Sequence, residues 1–416
     1  MCGKCLLTVL IISVSSLMRA EIYYIATNGD DARSGKGAWT NALLTISNGV
    51  AKATSYMDTV LVSNGNYNLT SEIKVQTPIL IRGYNGKNST FVNGNYPSTT
   101  NRCFSIGHSN AIADGFTISN GCSDSAGGVN ITNGLICNCL ISACAASNIA
   151  GGIYASGAGS VVSNCTISCN NVNNNGAGAY LSGGAQIYNS IIRNNRMGTN
   201  AGTTAFGGAG LYLSSSLAKN CIVISNEGSA AAGFGFGCCL NVAGLLQNCK
   251  VMYNSGSYGA VYVALSTVDC CTIVQNVSTQ SNVGGVKLAN DGGGELRNSI
   301  VYFNYGGLKT NWSGGTLTNK IANCCTAPLA VAGDPNQHLS GDSVNNVSSS
   351  PQFVSTSSDN YNLTRESPCI NTGANQDWMT NGAVDLDGHS RIDRFSGIVD
   401  MGCYEYLPQG TMYSVP

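Results

Sequence analysis

Residues 151–168 read GGIYASGAGSVVSNCTIS, and the same three-part phrase returns in residues 177–193 as AGAYLSGGAQIYNSIIR. Its last part is an Asn, a small residue and then alternating apolar residues. This part recurs with steps of 26, 25, 31, 28, 22, 28 and 25 residues. A repeat of roughly 20–50 residues indicates stacked structural units. The eight starts are Asn138, Asn164, Asn189, Asn220, Asn248, Cys270, Asn298 and Asn323.

Each repeat contains three short segments of alternating polarity, separated by Gly, Asn and Ser. Alternation over a few residues is the signal of a β-strand, because successive side chains point to opposite faces. The segments are too short and too rich in Gly for helices. The sequence therefore predicts an all-β fold, a single-stranded parallel β-helix with three short strands per coil.

The recurring asparagines predict a ladder along one corner of this solenoid. Successive coils would stack them about 4.8 Å apart, where each amide can bond its neighbours and tolerate the left-handed turn conformation. The residue after each anchor, usually Cys or Ser, is predicted to point inward. The predicted ladder consists of Asn138, Asn164, Asn189, Asn220, Asn248, Asn298 and Asn323.

The two ends of the chain differ from this repeat. Residues 1–20 are typical of a signal peptide, with Lys4 before an apolar stretch, and a membrane anchor is the alternative. Residues 21–57 predict a strand and a short helix near 42–53 that covers the open end of the solenoid. The solenoid is predicted to span residues 58–350, and residues 351–416 form a separate C-terminal module and tail.

Composition excludes several functional classes. Only 10% of the 416 residues are charged and the net charge is −1, so neither nucleic acid nor an anionic membrane is an expected partner. No segment after the leader is apolar enough to cross a bilayer. Of the 19 cysteines, 17 follow the leader. Buried thiols are favoured over disulfides for most of them, because many fall at the inward position.

Two stretches carry a resemblance to a known family. ADGFTISNG at residues 113–121, and SPCINTG, DLDG and MGCYEY between residues 367 and 406, resemble bacterial secreted β-helix proteins of the pectin-lyase-like superfamily with a choice-of-anchor Q-type C-terminal module. The resemblance implies a right-handed coil and a protein exported to the cell surface or the medium. Most such proteins have no assigned activity. Enzymes with this fold act on polysaccharides, using clustered carboxylates, calcium and a Lys or Arg base.

The C-terminal module contains two further candidates. Asp385 and Asp387 have the alternating carboxylates of a calcium loop, whereas a Gly turn with side-chain hydrogen bonds is the structural alternative. Cys369 and Cys403 lie on either side of this loop. The sequence is equally compatible with a disulfide between these two residues and with two free thiols. Calcium is the one cofactor that the sequence indicates.

Groups for acid–base chemistry are scarce in the middle of the chain. Between residues 125 and 333 the acids are Glu227, Asp269, Asp291 and Glu295. The best catalytic cluster comprises Lys287, Asp291, Glu295 and Arg297, and a solvated loop with local ion pairs is its structural alternative.

A row of tyrosines forms the second candidate site. The strand register places Tyr154, Tyr180, Tyr212 and Tyr262 on one outer face, one coil apart. Such a row can stack the sugar rings of an extended glycan, or it can stabilise the sheet through contacts between neighbours.

These features together predict an exported, surface-associated scaffold, glycan-binding or adhesive protein without a clear catalytic site. The alternative is a polysaccharide lyase or glycoside hydrolase. The expected partner is an extracellular polysaccharide or a cell-surface glycan.

Overall fold

The computed structural model describes residues 20–198, 206–228, 234–280, 282–290, 292–307, 311–334, 336–380 and 382–408. Its regular structure is almost entirely parallel β-strand, so the predicted all-β parallel β-helix with three strands per coil is confirmed. Within the described ranges, no helix has the length and hydropathy to cross a membrane. The predicted leader, apart from Ala20, lies outside the described residues.

Three sheets run the length of the solenoid. Sheet 1 contains the GGIYA phrase and sheet 2 the segment before each Asn anchor. They are joined through two long strands, Phe104–Asp114 and Val129–Cys137, that turn the corner between them. The other strands of sheet 1 are Ile73–Val75, Ile153–Ser156, Ala179–Ser182, Phe206–Ser214, Phe234–Asn241, Val261–Ala264, Val286–Leu288 and Trp312–Ser313. The other strands of sheet 2 are Ile22–Ile25, Thr59–Val62, Leu80–Gly83, Ser160–Ser163, Gln186–Tyr188, Leu217–Lys219, Leu245–Gln247, Thr267–Asp269, Glu295–Arg297 and Lys320–Ala322.

Sheet 3 follows each anchor and has 11 strands. They are Gly65–Asn68, Thr90–Asn93, Thr117–Ser119, Leu140–Ser142, Thr166–Ser168, Ile191–Arg193, Ile222–Ile224, Lys250–Met252, Thr272–Val274, Ile300–Tyr302 and Cys325–Thr326. Two short side sheets lie between sheet 3 and the next coil. Their strands are Cys122–Ser125, Ala145–Ile149, Asn171–Val172 and Arg196–Met197, then Ser255–Gly256 and Val277–Ser278.

The N-terminal helix spans Ile46–Lys52, within the predicted stretch, and a 3-10 turn at Trp39–Asn41 precedes it. The Thr45 side chain accepts a hydrogen bond from the Asn48 backbone N–H and so begins the helix. Gly49 lies so close to Ile25 and Val60 that a Cβ atom would clash with both side chains. The helix therefore packs directly on the end of the core, and strand Ile22–Ile25 already pairs in parallel with Thr59–Val62.

The interior is lined by rows of small and branched side chains. The residue after each anchor is buried throughout, and the Cys221 backbone N–H donates to Cys249 Sγ in the next coil at 3.3 Å. Apolar residues two positions further on, such as Ile167 and Val223, are fully buried. Burial of such a side chain contributes roughly 1.5–3 kcal/mol. The predicted inward register is thus the register of the structure.

The anchor asparagines all adopt left-handed backbone conformations, with φ between 49° and 56°. Their amides bond along the corner: Asn164 Nδ2 donates to Asn138 Oδ1 at 2.6 Å, and Asn248 Nδ2 to Asn220 Oδ1 at 2.8 Å. Asn220 donates in turn to Asn189 at 3.1 Å. This ladder lies on the outside in the early coils, where Asn138, Asn164 and Asn189 are exposed.

Asn298 and Asn323 bond differently. Asn298 donates to the Asp269 carboxylate at 3.1 Å and to the Ala374 carbonyl at 3.0 Å. Asn323 donates to the Thr372 carbonyl at 3.2 Å. In these later coils the anchors therefore bond to the C-terminal segment as well as to the solenoid.

A second, buried ladder was not predicted from the sequence. It stands six residues after the anchors, and its members are Asn170, Asn195, Asn226, Asn254, Asn276 and Asn304, continued by Asn311. Asn226 Nδ2 donates to Asn254 Oδ1 at 2.9 Å and to the Ile192 carbonyl at 3.0 Å. Its Oδ1 accepts from the backbone N–H and the amide of Asn195. Every rung thus satisfies backbone groups where the chain leaves sheet 3.

The C-terminal module turns back onto the solenoid instead of extending it. It contains a hairpin of Phe353–Ser355 and Asn360–Leu363 and a 3-10 turn at Asp377–Met379. Its apolar side chains pack on the outer face of sheet 3, where Tyr361 and Cys403 meet Met252 and Val274. The module thereby covers the later coils and leaves the same face of the earlier coils open.

We predict that the two ladders contribute unequally to stability. Asn226→Ala should lower the free energy of unfolding by about 2–4 kcal/mol, because it leaves buried backbone groups without partners. Asn164→Gly, which keeps the left-handed turn and removes an exposed rung, should cost less than about 1 kcal/mol. Urea titration followed by circular dichroism measures both. Equal losses of unfolding free energy would show that the buried ladder contributes no more to stability than the exposed one.

Candidate functional site

The tyrosine row has the predicted register. Tyr154, Tyr180 and Tyr212 are aligned partners in adjacent strands of sheet 1, followed by Cys239 and Tyr262. The Tyr180 and Tyr212 rings stack with centroids 4.5 Å apart and an interplanar angle of 13°. Because this separation is close to the spacing between coils, the ring planes lie across the solenoid axis.

This stacking limits what the row offers to a glycan. Tyr212 and Tyr262 are only 8% and 5% exposed, and Phe236 lies against the Tyr262 ring at 5.1 Å. Tyr212 and Tyr262 therefore present little ring surface to a ligand, because neighbouring side chains lie against them. The use of the row as a sugar platform stays a prediction, and it depends mainly on the other two tyrosines. Tyr154 and Tyr180 remain half-buried, and burial raises the pKa of Tyr180 to about 12.

The predicted catalytic cluster is divided between two sheets. Lys287 lies in sheet 1, next to Tyr262 in the register, whereas Glu295 and Arg297 lie in sheet 2. Asp291 falls outside the described residues. Glu295 forms ion pairs with Arg297 at 3.6 Å and with Lys320 at 3.4 Å. These contacts favour the ion-pair alternative for this part of the chain.

A buried carboxylate that the cluster did not include organises the same surface. Asp269 is fully buried and accepts hydrogen bonds from Arg297 Nη2 at 3.2 Å and Asn298 Nδ2 at 3.1 Å. A third donor is the indole N–H of Trp378, at 2.8 Å, from the C-terminal module. The repeat pattern could have revealed this cluster from the sequence. The residue directly before an anchor position is Lys219, Asp269 or Arg297 in three of the coils, and the strand register aligns these three side chains in one outward row.

Trp378 closes over this row from the module. Lys219 Nζ lies 4.4 Å from the centroid of the Trp378 ring, a cation–π contact. Burial lowers the pKa of Lys219, while the nearby Asp269 opposes that shift. Lys219, Asp269, Arg297 and Trp378 therefore form a latch between solenoid and module, which we call the Asp269 latch.

Three carboxylate oxygens of the candidate calcium loop accept hydrogen bonds from the protein. Asp385 Oδ1 accepts from the backbone N–H groups of Asp387 and His389, at 2.9 and 2.8 Å. Its Oδ2 accepts from the Glu405 backbone N–H at 2.8 Å. Asp387 Oδ2 accepts from the Asn362 amide at 3.0 Å. The loop is thus a hydrogen-bonded turn, and the residues that the structure describes hold no group of three or more metal-ligating side chains.

The disulfide hypothesis is not supported by the geometry. Cys369 and Cys403 are buried free thiols that belong to different apolar clusters. Cys369 packs with Cys325 and Met401, whereas Cys403 packs with Met252. All 17 cysteines of the described residues are free thiols, and 14 of them are buried.

The module also buries an acid–base pair. Arg391 is fully buried and Glu405 is 5% exposed, with Arg391 Nη2 and Glu405 Oε1 3.1 Å apart. Burial raises the pKa of Glu405 to about 8, opposed by Arg391 and assisted by the neighbouring Asp400. The pKa of Asp400 is raised as well, also through burial.

Comparison with known proteins identifies the fold. Neither a family model nor a curated protein sequence matches this chain. Pectate lyase Pel9A superposes with a TM-score of 0.55 at 16% identity, covering 93% of this chain and 96% of that chain. XylC in complex with xylose has a TM-score of 0.45 at 12% identity, covering 76% of each chain. A rhamnogalacturonan lyase has a TM-score of 0.40 at 12% identity, covering 81% and 91%.

The match to Pel9A shows that the chain has the right-handed parallel β-helix fold of the pectin-lyase-like kind. At such low identity the likeness concerns the fold alone.

We predict that the Asp269 latch holds the module on the solenoid. Asp269→Ala should lower the free energy of unfolding by about 3–5 kcal/mol, because the donors of Arg297, Asn298 and Trp378 lose the buried acceptor that they share. It should also expose the module to limited proteolysis before the solenoid. Glu295→Gln, which removes a half-exposed ion pair, should cost less than about 1 kcal/mol. Unchanged proteolysis of the Asp269 variant would contradict this role.

The raised pKa of Glu405 predicts how the stability of the fold depends on pH. In the folded chain this carboxyl stays protonated up to about pH 8, whereas the carboxyl of an unfolded Glu ionises near its ordinary pKa of 4.5. Its contribution to stability is therefore complete below pH 4.5 and is lost as the pH rises to about 8. Scanning calorimetry from pH 5 to pH 9 should show a smaller fall in the unfolding temperature for Glu405→Gln. An identical pH slope in both proteins would refute the assignment.

Proposed function

We propose that this chain is an exported β-helix protein that binds an extracellular polysaccharide without cleaving it. The observation that carries the proposal is the state of its carboxylates in the solenoid. Glu227 pairs with Arg196 at 3.5 Å, Asp269 is buried under three donors, and Glu295 contacts two cations. Hydrolysis of a glycosidic bond by paired carboxylates needs carboxyl groups that can reach the substrate.

The binding face in this proposal is the open surface of sheet 1 in the early coils. Its outward row runs through Ser105, Asn130, Tyr154 and Tyr180, aligned one strand after another. Ser182 adds a hydroxyl beside this row, 3.4 Å from the Tyr154 hydroxyl. Hydroxyl and amide groups both donate and accept hydrogen bonds, as sugar hydroxyls do. These four side chains are uncharged, so a neutral polysaccharide is the favoured ligand. Lys74 continues the row beyond Ser105, where it forms an ion pair with Glu72 at 3.4 Å.

A second candidate, a polysaccharide lyase or glycosidase, has one specific observation in its favour. Lys219 is a half-buried lysine whose pKa is lowered by burial, and a desolvated lysine is a suitable general base. Its position against the Trp378 ring instead favours a structural role in the Asp269 latch.

The test combines binding and product analysis for residues 21–416. Affinity electrophoresis in gels containing neutral plant or algal polysaccharides should show retarded migration, and mass spectrometry with calcium present should detect no soluble oligosaccharides. Tyr154→Ala/Tyr180→Ala should weaken retention at least fivefold. Tyr56→Ala, at a site 61% exposed near the N-terminal cap, is the control and should migrate like the original chain.

Either of two results would overturn this proposal. Oligosaccharides one water lighter than hydrolysis products would show a lyase. Equal retention of the double Tyr variant and the original chain, with both folded by circular dichroism, would exclude the sheet 1 row as the binding face.

A further inference from the structure

The C-terminal module contains a cleft that neither the solenoid face nor the Asp269 latch uses. It has a volume of about 950 Å³ and lies between the strand Asn360–Leu363, the turn at Asp385–His389 and the segment after Glu405. Polar groups on its wall come from Asn360, Asn362, Arg365, Asp387 and His389, and Tyr406 adds an aromatic ring. Three separate parts of the module thus converge on one space.

The buried Asp385 carboxylate fixes the orientation of the His389 ring. Its Nδ1 lies 3.3 Å from Asp385 Oδ2, and the Asp385 side chain is fully buried. Three backbone N–H groups hold this carboxylate in place. A carboxylate accepts a hydrogen bond only from a protonated ring nitrogen, so Nδ1 carries the proton and Nε2 is left as an acceptor. Because His389 lines the cleft, Asp385 acts as a positioning residue for an acceptor aimed at a ligand.

A second oriented pair joins this turn to the strand Asn360–Leu363. Asn362 Nδ2 donates to Asp387 Oδ2 at 3.0 Å, which fixes both planar groups relative to each other. The Asn362 backbone N–H also bonds Asn360 Oδ1 at 3.1 Å, so the two asparagines are coupled through the strand. Amide and carboxylate groups fixed side by side match adjacent sugar hydroxyls, each of which donates one hydrogen bond and accepts others.

The charges of the cleft balance. Arg365 and Asp387 are exposed groups of opposite sign on its wall. Glu405, which also lines it, stays protonated up to about pH 8 and therefore adds no charge to the wall at neutral pH. A uronate or a phosphate would gain little from this arrangement, whereas an uncharged polyol meets donors, acceptors and the Tyr406 ring. Buried and half-buried polar groups converging with an aromatic ring are typical of a small-molecule site.

We propose that this cleft binds a neutral sugar residue, with His389 Nε2 and Asp387 accepting hydrogen bonds from its hydroxyls and Arg365 donating. The site is separate from the sheet 1 row, so this proposal does not depend on the polysaccharide binding proposed there. It would give the protein a contact for a single sugar or a glycan end, beside the extended contact along the solenoid.

The chain is well suited to a direct test, because it contains only three histidines, His108, His338 and His389. Imidazole ¹⁵N spectra of the full chain labelled at histidine would therefore show three ring systems, assigned with His→Gln variants. The probes are glucose, galactose, mannose, xylose and N-acetylglucosamine at up to 50 mM, with galacturonic acid as the charged comparison. The His389 signals should shift with at least one neutral sugar, while those of His108 and His338 stay in place.

The variants test the assigned roles. Asp387→Ala should weaken the sugar response at least fivefold, and Tyr154→Ala/Tyr180→Ala should leave it unchanged. In the free protein, His389 should carry its proton on Nδ1, and Asp385→Asn should shift this tautomer balance even where the module stays folded. Absence of any His389 shift with all five neutral sugars overturns the proposal. A response to galacturonic acid alone, or an Asp387 variant that responds like the original chain, overturns it equally.

Discussion

The buried asparagine ladder is the contact on which the rest of the solenoid depends. Where six successive coils leave sheet 3, the chain takes one residue in the left-handed conformation, such as Cys169 or Ser225, and then places an asparagine inside. That amide bonds the backbone of the coil before it and the amide of the coil after it. Successive coils must therefore stack in one register, because a slip by one residue would leave several buried polar groups without partners.

The composition of the core follows from this constraint. A coil of about 25 residues divided among three sheets leaves a narrow interior, which Cys, Ser, Val, Ile and Leu fill. The cysteines act there as small apolar side chains, and burial raises the pKa of thiols such as Cys238 and Cys324. Larger aromatic rings lie mainly outside the coil. There they stack on one another, as Tyr180 and Tyr212 do, which explains why part of the predicted sugar platform is already filled.

The features that the sequence predicted well are those that repeat locally. The coil length, the inward rows and the outward tyrosine register all depend on spacing within one or two repeats, so periodicity alone reveals them. The buried ladder was equally accessible, since Asn170, Asn195 and Asn226 each stand six residues after an anchor. The Asp269 latch was not, because Trp378 reaches Asp269 across 109 residues and no local pattern encodes where the module docks. The same long-range packing separates Cys369 from Cys403 and places it beside Cys325.

The scarcity of charge is what connects this architecture with its proposed role. Only 10% of the residues in the chain are charged, so few side chains are available for acid–base chemistry. Asp269, Glu295 and Glu227 are all paired with cations. Ion pairs at such positions fix how coils and module fit together, and removing one partner leaves a costly unpaired charge. Recognition then falls to uncharged hydroxyl, amide and aromatic groups on faces that the module leaves open. A ligand that matches such faces is itself rich in hydroxyls and uncharged, which is why we propose a neutral glycan as the ligand in preference to an acidic one.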